Sequence, residues 1–345
     1  MKFKRIFAVA SASLLAFSLA ACSPDTTEEA PVDAVEQVED AITDVQNVEK
    51  IAFFGFWSTN SFTQAVLQGV ESAAAEVGAE VVDRTPAAYD GVAQINAMQD
   101  QTTSGDAQVY VVLAIDNIGL ETATREALDA GITVVAAFTP LGSDFASLEP
   151  SVDGLIVVAE TPVSNGTVLA ELAVAACEGI DPCNVAYLEG LAVLPLDNAR
   201  TGAFKETLAA QAPQAVLVAQ VEGGYDPATG SAAAQDALQA ANGEIDVMVG
   251  SSQAILGAMS EVDTNTVKLI GNGASTEAFE AVRDGRWFAL YNLDTVGMGS
   301  MAVDLGVQRA NGGTPNPVFD VQTLRNPRGT VDVIADYEPA YSDLG

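Results

Sequence analysis

The chain of 345 residues is 49% hydrophobic and carries a formal charge of −33, with no histidine. That acidity excludes nucleic acid and a polybasic membrane contact, since both need clustered Lys and Arg. The missing imidazole excludes Ser-His and Cys-His catalytic pairs and imidazole-bound zinc, which counts against an enzyme and against a metal site.

Met1-Lys2-Phe3-Lys4-Arg5 is a basic head, Ile6 to Leu19 is mostly apolar, and Leu19-Ala20-Ala21-Cys22 sets small residues before a cysteine. The apolar run is too short to span a bilayer and reads as an export signal. Its ending resembles the bacterial lipoprotein signal. That resemblance implies removal of residues 1–21, lipidation of Cys22 and a place in the cell envelope outside the cytoplasm. Residues 22–48 form an acidic, lipid-anchored linker with carboxylates from Asp25 to Asp44 and no basic residue. It is either a solvated tether or, because Val32, Val35, Val38, Ile42 and Val45 recur at helical spacing, a short acidic helix.

The folded body is expected from residue 49. Ile51-Ala52-Phe53-Phe54-Gly55-Phe56 is a continuous apolar run, as in a strand buried on both faces. A polar loop follows, then a helix from about Ser61 whose apolar residues repeat every three or four positions. Gly78 closes it, and Glu80-Val81-Val82 opens the next strand. The second half repeats the pattern. Val185–Leu188 matches Ile51–Phe54, and Ala215-Val216 matches Val81-Val82. Val247–Ser251 answers Val109–Ile115, and Val267–Gly271 answers Ile132–Ala136, with helices at Leu120–Ala130 and Ser231–Ala241 between them. Alternating strands and helices imply parallel sheets covered on both faces. Written twice, the pattern predicts two Rossmann-like α/β lobes rather than one open sheet of about ten strands. Cys177 and Cys183, in Cys-Glu-Gly-Ile-Asp-Pro-Cys, form either a local disulfide in an oxidising compartment or two buried thiols.

From Lys50 to about Asp332 the order of motifs resembles the type I periplasmic binding proteins, the ribose- and galactose-binding group of ABC-importer receptors. The motifs are Lys50-Ile-Ala-Phe-Phe54 with its Ser/Thr/Asn loop, Asp197-Asn-Ala-Arg-Thr-Gly-Ala-Phe204, Ile255-Leu-Gly-Ala258, Leu269-Ile-Gly-Asn-Gly273 and Ala281-Val-Arg-Asp-Gly285. The resemblance implies two lobes joined by three crossings, a first of 49–159 plus 293–320 and a second of 160–292 plus 321–345. It further implies a monomer without catalysis or cofactor that closes on a small-molecule solute and hands it to the transmembrane subunits of an ABC permease. The same fold could instead serve as a sensor for a membrane kinase or chemoreceptor.

Matched residue by residue, the ligand loop is Trp57, Ser58, Thr59, Asn60 and Phe62, whose amides, hydroxyls and flat rings suit a sugar. Arg200 matches an arginine that donates to ligand hydroxyls or a carboxylate, while Asp197 reads as a cap for its helix. Tyr225 matches a stacking aromatic. Asp116, Phe138, Ser251, Ser252, Asn272 and Asn292 complete the set at strand ends. Several stand where sugar receptors carry carboxylates, so a less hydroxylated solute, a nucleoside or a small carboxylate, is the alternative to a sugar or polyol. Gly271-Asn272-Gly273 begins like a dinucleotide fingerprint, but the third glycine is missing and the first strand is far upstream, so no cofactor is expected there.

Overall fold

The computed structural model describes residues 48–339 and 341–344. The export signal, Cys22 and the linker up to residue 47 lie outside the described residues. No helix among the described residues is long and apolar enough to cross a membrane.

The first lobe begins with β1 (Lys50–Phe54), α1 (Ser61–Val77), β2 (Glu80–Asp83), α2 (Gly91–Ser104) and β3 (Val109–Val112). It continues through α3 (Leu120–Asp129), β4 (Thr133–Phe138) and β5 (Ile156–Ala159). The chain then crosses to the second lobe. There α4 (Pro162–Ala176), β6 (Cys183–Glu189), α5 (Pro195–Gln211), β7 (Ala215–Glu222) and α6 (Pro227–Ala240) are followed by β8 (Val247–Ser251) and α7 (Ser252–Ala258). The lobe is extended by β9 (Lys268–Asn272), α8 (Thr276–Arg283) and β10 (Ala289–Tyr291). The chain returns to the first lobe for α9 (Thr295–Ala310) and β11 (Val318–Asp320), and crosses a third time to β12 (Arg328–Gly329) and α10 (Val331–Ile334).

Two six-stranded sheets result, ordered β11-β5-β4-β3-β1-β2 and β12-β10-β9-β8-β6-β7. Every pairing is parallel except β10 with β12. The molecule is thus two α/β lobes of matching strand order, as the repeated pattern predicts. The central strands are buried on both faces because helices cover both, which is why they read as unbroken apolar runs. Element ends differ from the sequence reading by a few residues. The helix expected at Ser231 starts four residues earlier, at Pro227, because Asp226 caps it by accepting from Ala228 and Thr229 N–H. The buried segment after Val112 leaves the sheet, and Leu113 to Ile115 run on as the loop toward the cleft.

Helix pairs pack on glycines. A Cβ on Gly69 of α1 would lie 2.0 Å from the Val296 carbonyl oxygen of α9, and one on Gly166 of α4 would lie 2.2 Å from that of Arg200 in α5. Cys177 and Cys183 are joined by a disulfide that ties the end of α4 to the start of β6, with a Cα–Cα distance of 5.7 Å.

Candidate functional site

Open α/β sheets bind ligands beyond the carboxyl ends of their strands, where the strand order reverses. Both sheets turn those ends toward each other here, and between them lies a cavity of about 80 Å³. That is room for several water molecules or one small solute.

From the first lobe the walls come from the segments after β1, β2, β4 and β5. Phe56, Trp57, Asn60 and Phe62 follow β1, Tyr89 precedes α2, Phe138 ends β4 and Glu160 follows β5. Asn60 caps α1, its Oδ1 accepting from Thr63 N–H at 2.9 Å, which leaves its amide hydrogens for the cavity. The rings form a connected set. Phe62 and Phe138 have centroids 4.8 Å apart, Phe56 lies 5.9 Å from Phe138, and Trp57 lies 5.5 Å from Tyr89. Phe138 has φ +73°, a left-handed backbone that costs a non-glycine residue on the order of 1 kcal/mol or more. That strain aims the ring at the cleft instead of continuing the strand. Burial pushes the Tyr89 phenol well above its usual range, with the nearby Asp197 charge adding to the effect.

From the second lobe come Leu194, Leu196 and Arg200 after β6, Tyr225 after β7, Ser252 and Gln253 after β8, and Asn272 and Tyr291 at the ends of β9 and β10. Arg200 is 5% exposed. Its Nη1 donates to Asp197 Oδ1 at 2.6 Å and to Tyr225 Oη at 3.0 Å, while Tyr225 Oη donates to Asp197 Oδ1 at 2.6 Å. A buried guanidinium would be costly unpaired, and this triad compensates it. Desolvation works against the charge, but the neighbouring Tyr225 and Asp197 outweigh it and hold the guanidinium protonated. Arg200 Nε is buried and has no hydrogen-bond partner among the described residues. A buried donor without a partner is expensive, so this end of the guanidinium adds to what the Asp197 and Tyr225 bonds must offset.

Glu160 sits where the first crossing begins and is 2% exposed. Its carboxyl accepts from Tyr291 Oη, and from Asn165 Nδ2 at 2.9 Å. Asn165 and Asn272 exchange amide bonds at 3.1 and 3.2 Å. Gln322, in the third crossing, donates to Tyr291 Oη at 2.8 Å. All three crossings therefore meet in one buried network beside the cavity.

The structure brings Trp57, Asn60, Phe62, Phe138, Arg200, Tyr225, Ser252 and Asn272 together around the cavity, and it leaves five candidates out. Ser58 is tied to the next loop by its N–H to Pro86, and Thr59 is exposed on the outer rim. Asp116 is spent on its own turn, accepting from Gly119 N–H at 2.8 Å. Ser251 caps α7 and donates to the Gly224 carbonyl at 2.7 Å. Asn292 is buried, with its amide on the Asn326 carbonyl at 3.2 Å, and serves the crossing rather than the cavity. Asp197 departs from its expected role as well. The N-cap position is Leu194, and Asp197 Oδ2 accepts from Leu191 N–H at 2.8 Å while its other oxygen holds the triad.

Among the residues missed in the sequence, Glu160 directly follows a buried strand and Gln253 lies in the first turn of the helix after one, positions that flag candidates in this architecture. Tyr341 gave no such signal, since no periodicity surrounds it. Among the described residues no group of three or more His, Cys, Asp or Glu side chains is arranged to hold a metal.

Comparison with known proteins agrees with this architecture. Residues 51–314 match the family described as periplasmic binding protein domain. Many solved structures share the fold, including three with bound ligands. An ABC transporter periplasmic solute-binding protein from Actinobacillus succinogenes with bound D-allose has a TM-score of 0.74 at 18% identity, covering 84% of this chain and all of that one. A solute-binding protein from Bacillus halodurans with bound myo-inositol has a TM-score of 0.71 at 20% identity, covering 86% and 99%. One from Mycobacterium smegmatis with bound glycerol also has a TM-score of 0.71, at 23% identity and the same coverage. No curated protein matches the sequence significantly. With its paired sheets, inter-lobe cavity and a family match across most of its length, the chain belongs to the periplasmic binding proteins.

Proposed function

We propose that this protein is the solute receptor of an ABC importer, closing on one small sugar or polyol and presenting it to a permease. The observation that carries the reading is an inter-lobe cavity of about 80 Å³ walled by aromatic rings, with the paired Arg200 in its lining. Relatives of the same fold hold D-allose, myo-inositol and glycerol, which supports the solute class. The aromatic walls suit C–H faces of a ring, and Arg200, Asn60, Ser252 and Gln253 supply polar groups for a few hydroxyls. Binding shifts an open–closed equilibrium and needs no covalent step. In this reading lipid at Cys22 holds the receptor at the membrane, and the acidic linker stands it off the surface.

A second reading is favoured by the wall chemistry. Asp197 already serves Arg200 and Tyr225, and Glu160 is engaged by Tyr291 and Asn165. Few carboxylate oxygens remain for a solute with hydroxyls all around, which supports a flatter, less hydroxylated solute such as a nucleoside. A thermal-shift screen of D-allose, myo-inositol, glycerol, nucleosides and small carboxylates tests both. A solute at 100 times its Kd raises stability by about 2.7 kcal/mol. If no member of the panel shifts the transition, the receptor reading for these classes fails.

A further inference from the structure

The segment Tyr341–Leu344 is seated on the second lobe at the start of α8. The Tyr341 carbonyl accepts from Thr276 N–H at 2.8 Å and from its hydroxyl at 3.0 Å. Ser342 Oγ and Asp343 N–H both donate to the Glu277 carboxylate, the latter at 2.8 Å. From that seat the segment reaches over the cleft. Asp343 Oδ1 accepts from Gln253 Nε2 of α7 at 3.0 Å and from Ser61 Oγ, in the first turn of α1 on the other lobe, also at 3.0 Å. Gln253 Nε2 itself lies 3.4 Å from Ser61 Oγ.

Outside the cavity is an open depression of about 770 Å³, and Tyr341, Trp57, Tyr225 and Gln253 line both spaces. Tyr341 therefore stands in the partition between the solute cavity and the exterior. The contacts are lopsided, with several bonds to the second lobe and the Ser61–Asp343 bond reaching the first. Asp343 Oδ2 is buried without a partner, so the closed arrangement carries uncompensated desolvation.

We propose that Tyr341–Leu344 is the latch of the cleft, carried on the second lobe, stopping the mouth with Tyr341 and hooking the first lobe through the Asp343–Ser61 bond. When the lobes part, the segment stays with α8 and that bond breaks, which opens the partition. The latch's role in solute exchange rests on the receptor reading, but its existence is testable without solute. Trp287 is 2% exposed, so quencher-accessible emission comes from Trp57, and a Trp57→Phe control confirms the source.

In the full-length protein, Asp343→Ala and Ser61→Ala are each expected to raise the open population roughly two- to tenfold, the scale of one hydrogen bond. The readout is stronger acrylamide quenching of Trp57. An oxidised S61C/D343C double variant should fall below wild type, and reduction should restore it. Unchanged quenching in Ser61→Ala, with circular dichroism matching wild type, overturns the latch even if Asp343→Ala fails to fold. A solute screen without hits beside a positive quenching result would count against the receptor reading and leave the latch standing.

Discussion

Tyr291 donates its phenolic hydrogen to Glu160, and that bond joins the end of β10 to the end of β5, where two of the three crossings begin. Burial raises the Glu160 carboxyl from its ordinary 4.5 to about 7, with the hydrogen bond from Tyr291 and the Arg200 charge opposing the rise. An acid whose pKa is raised by folding binds its proton more tightly in the native state. Its contribution is complete below about pH 4.5 and is lost as pH climbs to about 7. Glu160→Gln keeps an acceptor without a charge. Its stability relative to wild type should grow across that window, by on the order of 3 kcal/mol, and level off above it. Thermal melts of both proteins from pH 4 to 8 measure the difference. A constant offset would remove Glu160 as the titrating group.

Arg200 carries a structural duty as well as a chemical one. Arg200→Ala strands Asp197 and Tyr225 in a buried site and should cost about 3–5 kcal/mol, so loss of binding in that variant would be ambiguous. Arg200→Lys keeps the charge but not the planar fork, and should weaken solute affinity by roughly tenfold or more with a smaller loss of Tm. Calorimetric titration beside a thermal melt separates the two effects.

The two tryptophans give an internal control. Trp57 lines the cavity, whereas Trp287 is packed in the core of the second lobe. Solute binding should change the emission of Trp57 and leave that of Trp287 alone. The change should vanish in Trp57→Phe while the thermal shift persists. A signal that survives this substitution would mean that the solute sits elsewhere.

Gly166 links stability to the site. Its missing Cβ lets α4 lie on the Arg200 carbonyl, so Gly166→Ala must push α5 away. Overpacking of this kind costs about 1–3 kcal/mol, and here it also displaces Asp197 and Arg200 together. We expect a lower Tm and a weaker solute affinity in the same variant. An unchanged affinity would show that α5 yields without moving the triad.

The two-lobed plan was legible because short apolar runs alternate with amphipathic helical stretches, and because the pattern is written twice. Ile51–Phe54 and Val185–Leu188 occupy equivalent central strands, as their likeness implied. The site was legible where a candidate caps or opens the helix after such a strand, as with Asn60 and Ser252, whereas Arg200 was marked by the family resemblance. It was less so where side chains have local work. Asp116 and Ser251 sit at strand ends too, yet each satisfies nearby backbone groups, a competition that strand position does not reveal. Glu160 looked like an unremarkable acid after Ile-Val-Val-Ala. Its importance comes from Tyr291 and Gln322, which lie far along the chain and meet it only after folding.

The side-by-side passages at residues 160, 292 and 321 have a mechanical result. In the receptor reading, three tethers held in one network would let each half turn as a solid block about the seam between them. Torsional change would fall on a few backbone bonds and leave packing inside either half intact. A downstream protein reading occupancy would then sense the relative placement of two unchanged surfaces.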